Sequence, residues 1–333
     1  METSIAKIAK HELLNTRICD LPLQINGLLE GCIKKLDREL TKKGLRFRPD
    51  YYFGESWGCV NKTISIEIPF FMATAELRHI ERKYSERECE NKRGLLRTLR
   101  HEYGHALNYA FELYREKEWR RLFGDFEQKY HELYMANPFS KRYVKYLEDY
   151  YAQKHPDEDW AETFAVWLDP GSNWRELYQR TPAMRKLAYV REVVHAIRYQ
   201  VHKVDRIGRD EPFEEVDTTI AEYYGIDPEV IFKEKLSEYL EDLRRIFVPA
   251  VRSGRRIKAS QFIRRCTPVI VSKVGEWIAG SNRHTIRKYL RRLEAISRHY
   301  DLRLSQREML EKLVELTTLV NFYVMDEIHG LSS

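Results

Sequence analysis

In the stretch "LRHEYGHALNYAF", His101 and His105 stand four residues apart, and Glu102 directly follows the first of them. On an α-helix, residues i and i+4 project from one face, so the two imidazoles can each offer a nitrogen to a single cation. Glu102 then lies about 100° round the same helix, close enough to reach a water on that cation without taking a ligand position. Two neutral nitrogen ligands, one carboxylate base and an open position for water are the requirements of zinc-assisted hydrolysis. Leu96, Leu99, Leu107 and Ala110 give this helix a buried face. Gly104 is the small residue that would let a metal or a neighbouring backbone approach.

A tetrahedral catalytic site needs a third protein ligand. Position 111 is Phe, so the histidine of an HExxHxxGxxH continuation is absent and the ligand must come from elsewhere. The source is "HPDEDWAETFAVW", where Glu158 and Glu162 lie one turn apart on one face while Trp160, Phe164 and Trp167 fill the others. One carboxylate can bind the metal while the other accepts the free ring N–H of a ligating histidine and fixes its tautomer. Spacing alone allows either glutamate as the ligand. Asp159 and Asp157 are the lesser candidates, and read rather as helix N-terminal charges favoured by the dipole.

With these residues in view, HExxH followed by a glutamate helix carrying a second acid one turn later resembles the gluzincin branch of zincin metallopeptidases. More closely, "ISIEIPFFMA", "LRTLRHEYGHALNYAF" and "YYAQKHPDEDWAETFAVWL", in that order, resemble a bacterial family of zinc-binding metallopeptidases. The resemblance spans roughly residues 50 to 200. It implies an α+β, predominantly helical fold: a zincin-like core with a small sheet, followed by a helical C-terminal region. It also implies one Zn2+ per chain and a peptide or protein substrate. In gluzincins the first acid of the pair is the ligand, which makes Glu158 the ligand beside His101 and His105, and Glu162 the residue that orients a histidine. Glu102 is then the general base. In the lethal-factor type a tyrosine seven residues before the ligand stabilises the oxyanion, which corresponds to Tyr151, with Tyr150 and His155 as alternatives. Relatives often carry an N-terminal zinc ribbon, whereas this chain has no CxxC pair, and any function of that ribbon is not carried over.

These residues have to be held by other elements. Apolar positions Ile25, Leu28, Leu29, Ile33, Leu36 and Leu40, with Pro22 suited to a first turn after Asp20, predict a helix. Thr63 to Ile68 alternate polar with apolar up to Pro69, which predicts a strand with one buried face at or near a sheet edge, a place where zincins hold extended peptides. Helix is expected from Leu77 to Leu122 with a break near Gly94, and Gly124 to Ser140 reads as an irregular excursion with a short helix in its middle. Pro156 begins a helix that ends at Asp169, and Pro182 begins another with Thr181 as its N-cap.

The charged stretch Val204 to Asp217 reads as the boundary between a metallopeptidase domain, residues 1–203, and an all-helical basic region, residues 218–333, separated into helices at Gly225, Pro249, Gly254, Pro268 and Gly280. The net charge of +6 conceals an uneven distribution, because residues 241–300 hold fifteen basic and four acidic side chains. An acidic partner for this surface is a secondary expectation. "AGSNRHTIRKYLRRLEAISRHY" has a superficial likeness to a helix-turn-helix, yet Ile286, Leu290, Leu293 and Ile296 describe an ordinary amphipathic helix. A nucleic-acid-binding or adaptor protein with a structural metal site is therefore the alternative function rather than the favoured one.

Five cysteines without a CxxC pair suggest neither a disulfide framework nor a zinc ribbon. No run approaches the roughly 18 apolar residues of a membrane span, and charged residues interrupt the first 18 positions, so neither a membrane nor an export signal is expected. The expected home is the cytoplasm.

Overall fold

A computed structural model describes residues 5, 8, 10–84, 91–130, 136–226, 236–250, 256–277 and 283–329. The chain forms two compact units, Pro22–Phe213 and a second made of Met1–Leu21 with Glu214–Ser333. It is predominantly helical with a small mixed sheet and a helical C-terminal region, the α+β arrangement expected. Among the described residues no helix is long and apolar enough to cross a membrane. Helix α1 (Lys10–Asn15) belongs to the second unit.

In the unit Pro22–Phe213, α2 spans Gly27–Lys42 and buries Leu29, Cys32, Leu36 and Leu40. It starts at Gly27 and not at Pro22, because Asn26 is extended and Gly27 has a φ of 53°, neither of which continues a helical turn upstream. Strands β1 (Asp50–Gly54), β2 (Gly58–Cys59) and β3 (Ser65–Pro69) form a sheet in the order β1-β3-β2, with β1 parallel and β2 antiparallel to β3. The predicted edge strand is thus the central one, and β1 and β2 are the edges. Nor is one of its faces open, since Thr63, Ser65 and Glu67 are buried along with Ile64, Ile66 and Ile68.

The polar face of β3 is covered by the chain returning near residue 208. The Ile64 N–H donates to the Arg206 carbonyl at 2.9 Å and the Gly208 N–H to Ser65 Oγ at 3.1 Å. Glu67 Oε1 accepts the N–H groups of Glu55 and Ser56 at 2.7 and 2.8 Å, fixing the turn that leads into β2. Only glycine fits at Gly54, where a Cβ would fall 2.3 Å from that oxygen.

Helices α3 (Ala75–Tyr84) and α4 (Lys92–Ala110) follow. The break expected near Gly94 is not at that residue, which α4 includes, because the Asn91 side chain accepts from the N–H groups of Arg93 and Gly94 and caps the helix just before it. Helix α5 covers Lys117–Phe123. The short helix expected in the middle of residues 124–140 falls at 131–135, outside the described residues. Helices α6 (Pro156–Leu168), α7 (Trp174–Leu177) and α8 (Pro182–Ile197) complete the unit. At the start of α8 the Thr181 hydroxyl donates to the Tyr178 carbonyl at 2.6 Å and does not cap the helix.

In the second unit, Ile18 and Cys19 donate their N–H groups to Thr218 and Val216, both at 3.0 Å, tying the N-terminal segment to the one before α9 (Ile220–Tyr224). Helices α10 (Leu236–Ile246), α11 (Ala259–Trp277), α12 (Arg283–His299) and α13 (Met309–His329) enclose a core that includes Ile286, Leu290, Leu293 and Ile296, the stripe read from the sequence. The region is not all helical. Strands β4 (Val248–Pro249), β5 (Arg256–Lys258) and β6 (Leu302–Ser305) form an antiparallel sheet with β6 in the middle; they are only two to four residues long, and β6 alone alternates, burying Leu302 and Leu304. Pro268 lies inside α11 rather than ending it, on the helix's exposed side, where its ring is tolerated. The separators expected at Gly254 and Gly280 lie outside the described residues.

Candidate metal centre

Helices α4 and α6 meet backbone to backbone, which sets everything at the site. Trp160 Nε1 on α6 donates to the Gly104 carbonyl on α4 at 2.8 Å, and Tyr103 stacks on Phe164 with ring centroids 5.6 Å apart. Along this contact α4 presents His101 and His105, and α6 presents Asp157, Glu158 and Glu162, all of them buried.

Each histidine is held through Nδ1. His101 Nδ1 lies 3.1 Å from Glu162 Oε1, and Glu162 Oε2 accepts the N–H groups of Tyr146 and Leu147, both at 3.0 Å. His105 Nδ1 lies 2.8 Å from Asp157 Oδ2, and Asp157 also accepts from the Tyr109 hydroxyl at 2.5 Å and Asn108 Nδ2 at 2.8 Å. Carboxylates only accept, so each Nδ1 donates its ring proton to its carboxylate, and each Nε2, once it gives up its own proton, has a lone pair to offer a metal.

Those lone pairs converge. The two Nε2 atoms are 3.1 Å apart, and Glu158 Oε2 lies 3.0 Å from that of His101 and 3.2 Å from that of His105. A tetrahedral zinc with bonds of about 2.0–2.1 Å separates its ligands by about 3.3 Å, so this near-equilateral triangle of donors fits the ion. His101, His105 and Glu158 thus form a cluster able to hold a metal.

The electrostatics point the same way. Burial lowers the pKa of His101, but the Glu158 and Glu162 carboxylates outweigh it and hold the group at about 9. For His105, burial is likewise overcome by Asp157 and Glu158, and its pKa stands well above the ordinary histidine value. Burial would raise Glu158, but His105 and His101 draw it down to about 2. In the bare chain, protons on the imidazoles hold the acids together, and a divalent cation is the group that satisfies all three donors at once.

A cleft of about 600 Å3 opens over this triangle, with Glu102, Trp57, Cys59, Tyr130 and Tyr151 among its walls. Glu102 is 7 % exposed, buried beside the two histidines. The Tyr151 ring centroid lies 5.7 Å from that of His101. Tyr150 does not line the cleft, and its φ of 56° puts it on a strained turn under Lys145. His155 does line it, but Nδ1 caps α6 through the Asp157 N–H and Nε2 lies 3.1 Å from the Gln128 carbonyl, so its ring serves the fold. The Cys59 thiol, on edge strand β2, is pushed well up by burial and then by the charges of Glu102 and Asp157, which keeps it neutral.

Two residues escaped the sequence reading. Asp157 is no mere helix-terminal charge, since it holds His105. The signal that could have found it is the direction of the helices: His101 meets Glu162 while His105, one turn on, meets Asp157, which lies earlier on α6. Antiparallel helices pair in this sense, so either contact locates the other. Tyr130 left no signal: its hydroxyl touches Glu158 Oε1, the oxygen turned away from the triangle, from a loop 28 residues upstream. Asp159, also read as a terminal charge, forms a buried ion pair with Lys186 of α8.

A search of the curated proteins finds no match, and neither does a search of the solved structures. Residues 37–179, which include α4, the sheet and α6, match the family model described as "Putative zinc-binding metallo-peptidase". Over that stretch, and in the ligand cluster it encloses, the chain is similar to a family of zinc metallopeptidases.

Proposed function

We propose that this chain is a zinc-dependent peptidase that hydrolyses peptide bonds in peptide or protein substrates, working in the cytoplasm. The observation that carries this reading is the convergence of two imidazole Nε2 atoms and one carboxylate oxygen to separations of 3.0–3.2 Å at the floor of an open cleft. His101, His105 and Glu158 would hold the ion. Glu162 orients His101, and Asp157 orients His105. A zinc ion bound there supplies Lewis acidity, lowering the pKa of water at its open position and polarising a carbonyl.

Glu102 is the general base: it takes the proton from the attacking water and delivers it to the leaving amine. Tyr151 donates its hydroxyl to the oxygen that becomes negative in the tetrahedral intermediate. Edge strand β2 has an unpaired side next to the cleft, and an extended substrate can pair with it through main-chain hydrogen bonds. In this reading the substrate lies along β2, where the sequence alone suggested β3.

The test measures zinc content and peptide hydrolysis together, on folded wild type and on His101→Ala, Glu158→Ala, Glu162→Ala and Glu102→Gln. The expected result is about one zinc in wild type and in Glu102→Gln, its loss in the His101 and Glu158 variants, and hydrolysis in wild type only. Folded wild type that takes up no zinc, or Glu102→Gln that cleaves peptides at the wild-type rate, overturns the reading.

A further inference from the structure

A second pocket, of about 550 Å3, lies at the far end of α6, formed by the ends of α2 and α6 and by α7. Its walls are the indoles of Trp167 and Trp174, both buried, and each carries a cation on its face. Lys43 Nζ sits 4.6 Å from the Trp167 ring centre and Arg175 Cζ 4.3 Å from that of Trp174. Both residues are exposed at the pocket's rim, and the Lys43 ammonium is lowered from its ordinary value by partial desolvation and then by repulsion from Arg175.

The carboxylates in the walls do not answer these charges. Both oxygens of Glu39 are taken by Arg100, at 2.8 Å each. Asp169 Oδ2 accepts from Arg100 and Tyr146 at 2.8 and 2.9 Å, and its Oδ1 accepts the Gly171 N–H at 2.9 Å. Among the described residues no carboxylate lies within ion-pair distance of Lys43 or Arg175; the remaining charged residues of the lining, Lys42 and Glu176, are exposed as these two are.

We infer that this pocket binds a small molecule through an oxyanion, a phosphate or a carboxylate, gripped between Lys43 and Arg175 with the two indoles against its body. An anion placed there pairs with both cations, each already held against an indole face. The volume is that of an ordinary small-molecule site. The site is separate from the metal centre, nine residues and about 14 Å along α6 from Glu158. Its wall grips Arg100, the residue preceding His101.

The six tryptophans make the test direct. The indole N–H resonances of the full-length protein, assigned with single Trp→Phe variants, are followed while inorganic phosphate, succinate or chloride is added at constant ionic strength. Saturable shifts of the Trp167 and Trp174 signals with phosphate or succinate, weakened about tenfold or more in Lys43→Gln/Arg175→Gln, are the expected result. The tighter of the two anions identifies the group. Trp57 lines the metal cleft, so its signal reports anion binding there instead. Shifts confined to Trp57, shifts no larger than with chloride, or shifts unchanged in the double variant overturn the inference.

Discussion

A Cβ added to Gly104 would stand 2.9 Å from the Cα of Ala161 and 3.2 Å from its carbonyl oxygen. Gly104 lies between the two histidines, so the closeness of α4 and α6, and with it the donor triangle, depends on a missing methyl group. In Gly104→Ala the intruded atoms are backbone and α6 must move away. The expected outcome is a destabilisation of about 1–3 kcal/mol despite alanine's better helix propensity, together with weaker zinc binding. Urea unfolding and chelator competition measure the two effects, and a more stable variant with unchanged affinity would contradict the contact.

Asp157→Asn and Glu162→Gln each remove the carboxylate that fixes one histidine's tautomer. Each is expected to weaken zinc binding by about 10–100-fold while the fold is kept. Competition with a chromogenic chelator reads this, and an unaltered affinity in either variant would deny that residue its orienting role.

Tyr130 and Tyr151 are distinguished by what they touch. Tyr130→Phe withdraws the hydroxyl from Glu158 Oε1 and should lower zinc affinity. Tyr151→Phe should leave affinity unchanged and reduce kcat by about 100-fold or more, as for the loss of one oxyanion donor. Titrating zinc into both variants and assaying them at saturating metal separates the roles, and the opposite pattern would exchange them.

The metal-free protein should lose stability on the alkaline side. With His101 held at about 9 against an ordinary 6.5, its protonated form contributes stability that is complete below about pH 6.5 and disappears as pH rises through about 9. Glu158, drawn down to about 2, contributes above about pH 4.5 and ceases to as pH falls towards 2. Zinc replaces the imidazole protons, so the gap in Tm between zinc-loaded and metal-free protein should widen from pH 6.5 to 9. A gap that stays constant or narrows in thermal melts would count against the arrangement.

Lys186→Met leaves Asp159 buried without its cation. Burial already lifts the Asp159 carboxyl to about 7 against the pull of Lys186. The expected cost is about 1–2 kcal/mol at pH 8, where wild type has ionised the acid and the variant, its carboxyl raised further, keeps its proton, and less at pH 5.5, where both hold it protonated. Denaturant unfolding at the two pH values checks this, and equal losses would show the ion pair to be unimportant.

The sequence by itself determined the local chemistry. His101, Glu102 and His105 share one helix because the residues around them have helical periodicity and no proline, and Glu158 and Glu162 share another because Pro156 starts it and Asp169 ends it. Period and capping are local properties, so they are legible in one dimension. The buried stripe of α12 was read for the same reason. What only the tertiary structure decided is what lies opposite what. That β3 is central and β2 an edge depends on a two-residue strand with no pattern of its own. That Asp157 serves His105 depends on the antiparallel approach that Gly104 permits, and that Tyr130 reaches Glu158 depends on a loop crossing the cleft. Thr16, Ile18 and Cys19 join the segment leading into α9 through backbone hydrogen bonds, which any side chains could make. Pairings between distant segments come from packing and from backbone groups common to all residues, and a linear sequence carries little trace of either.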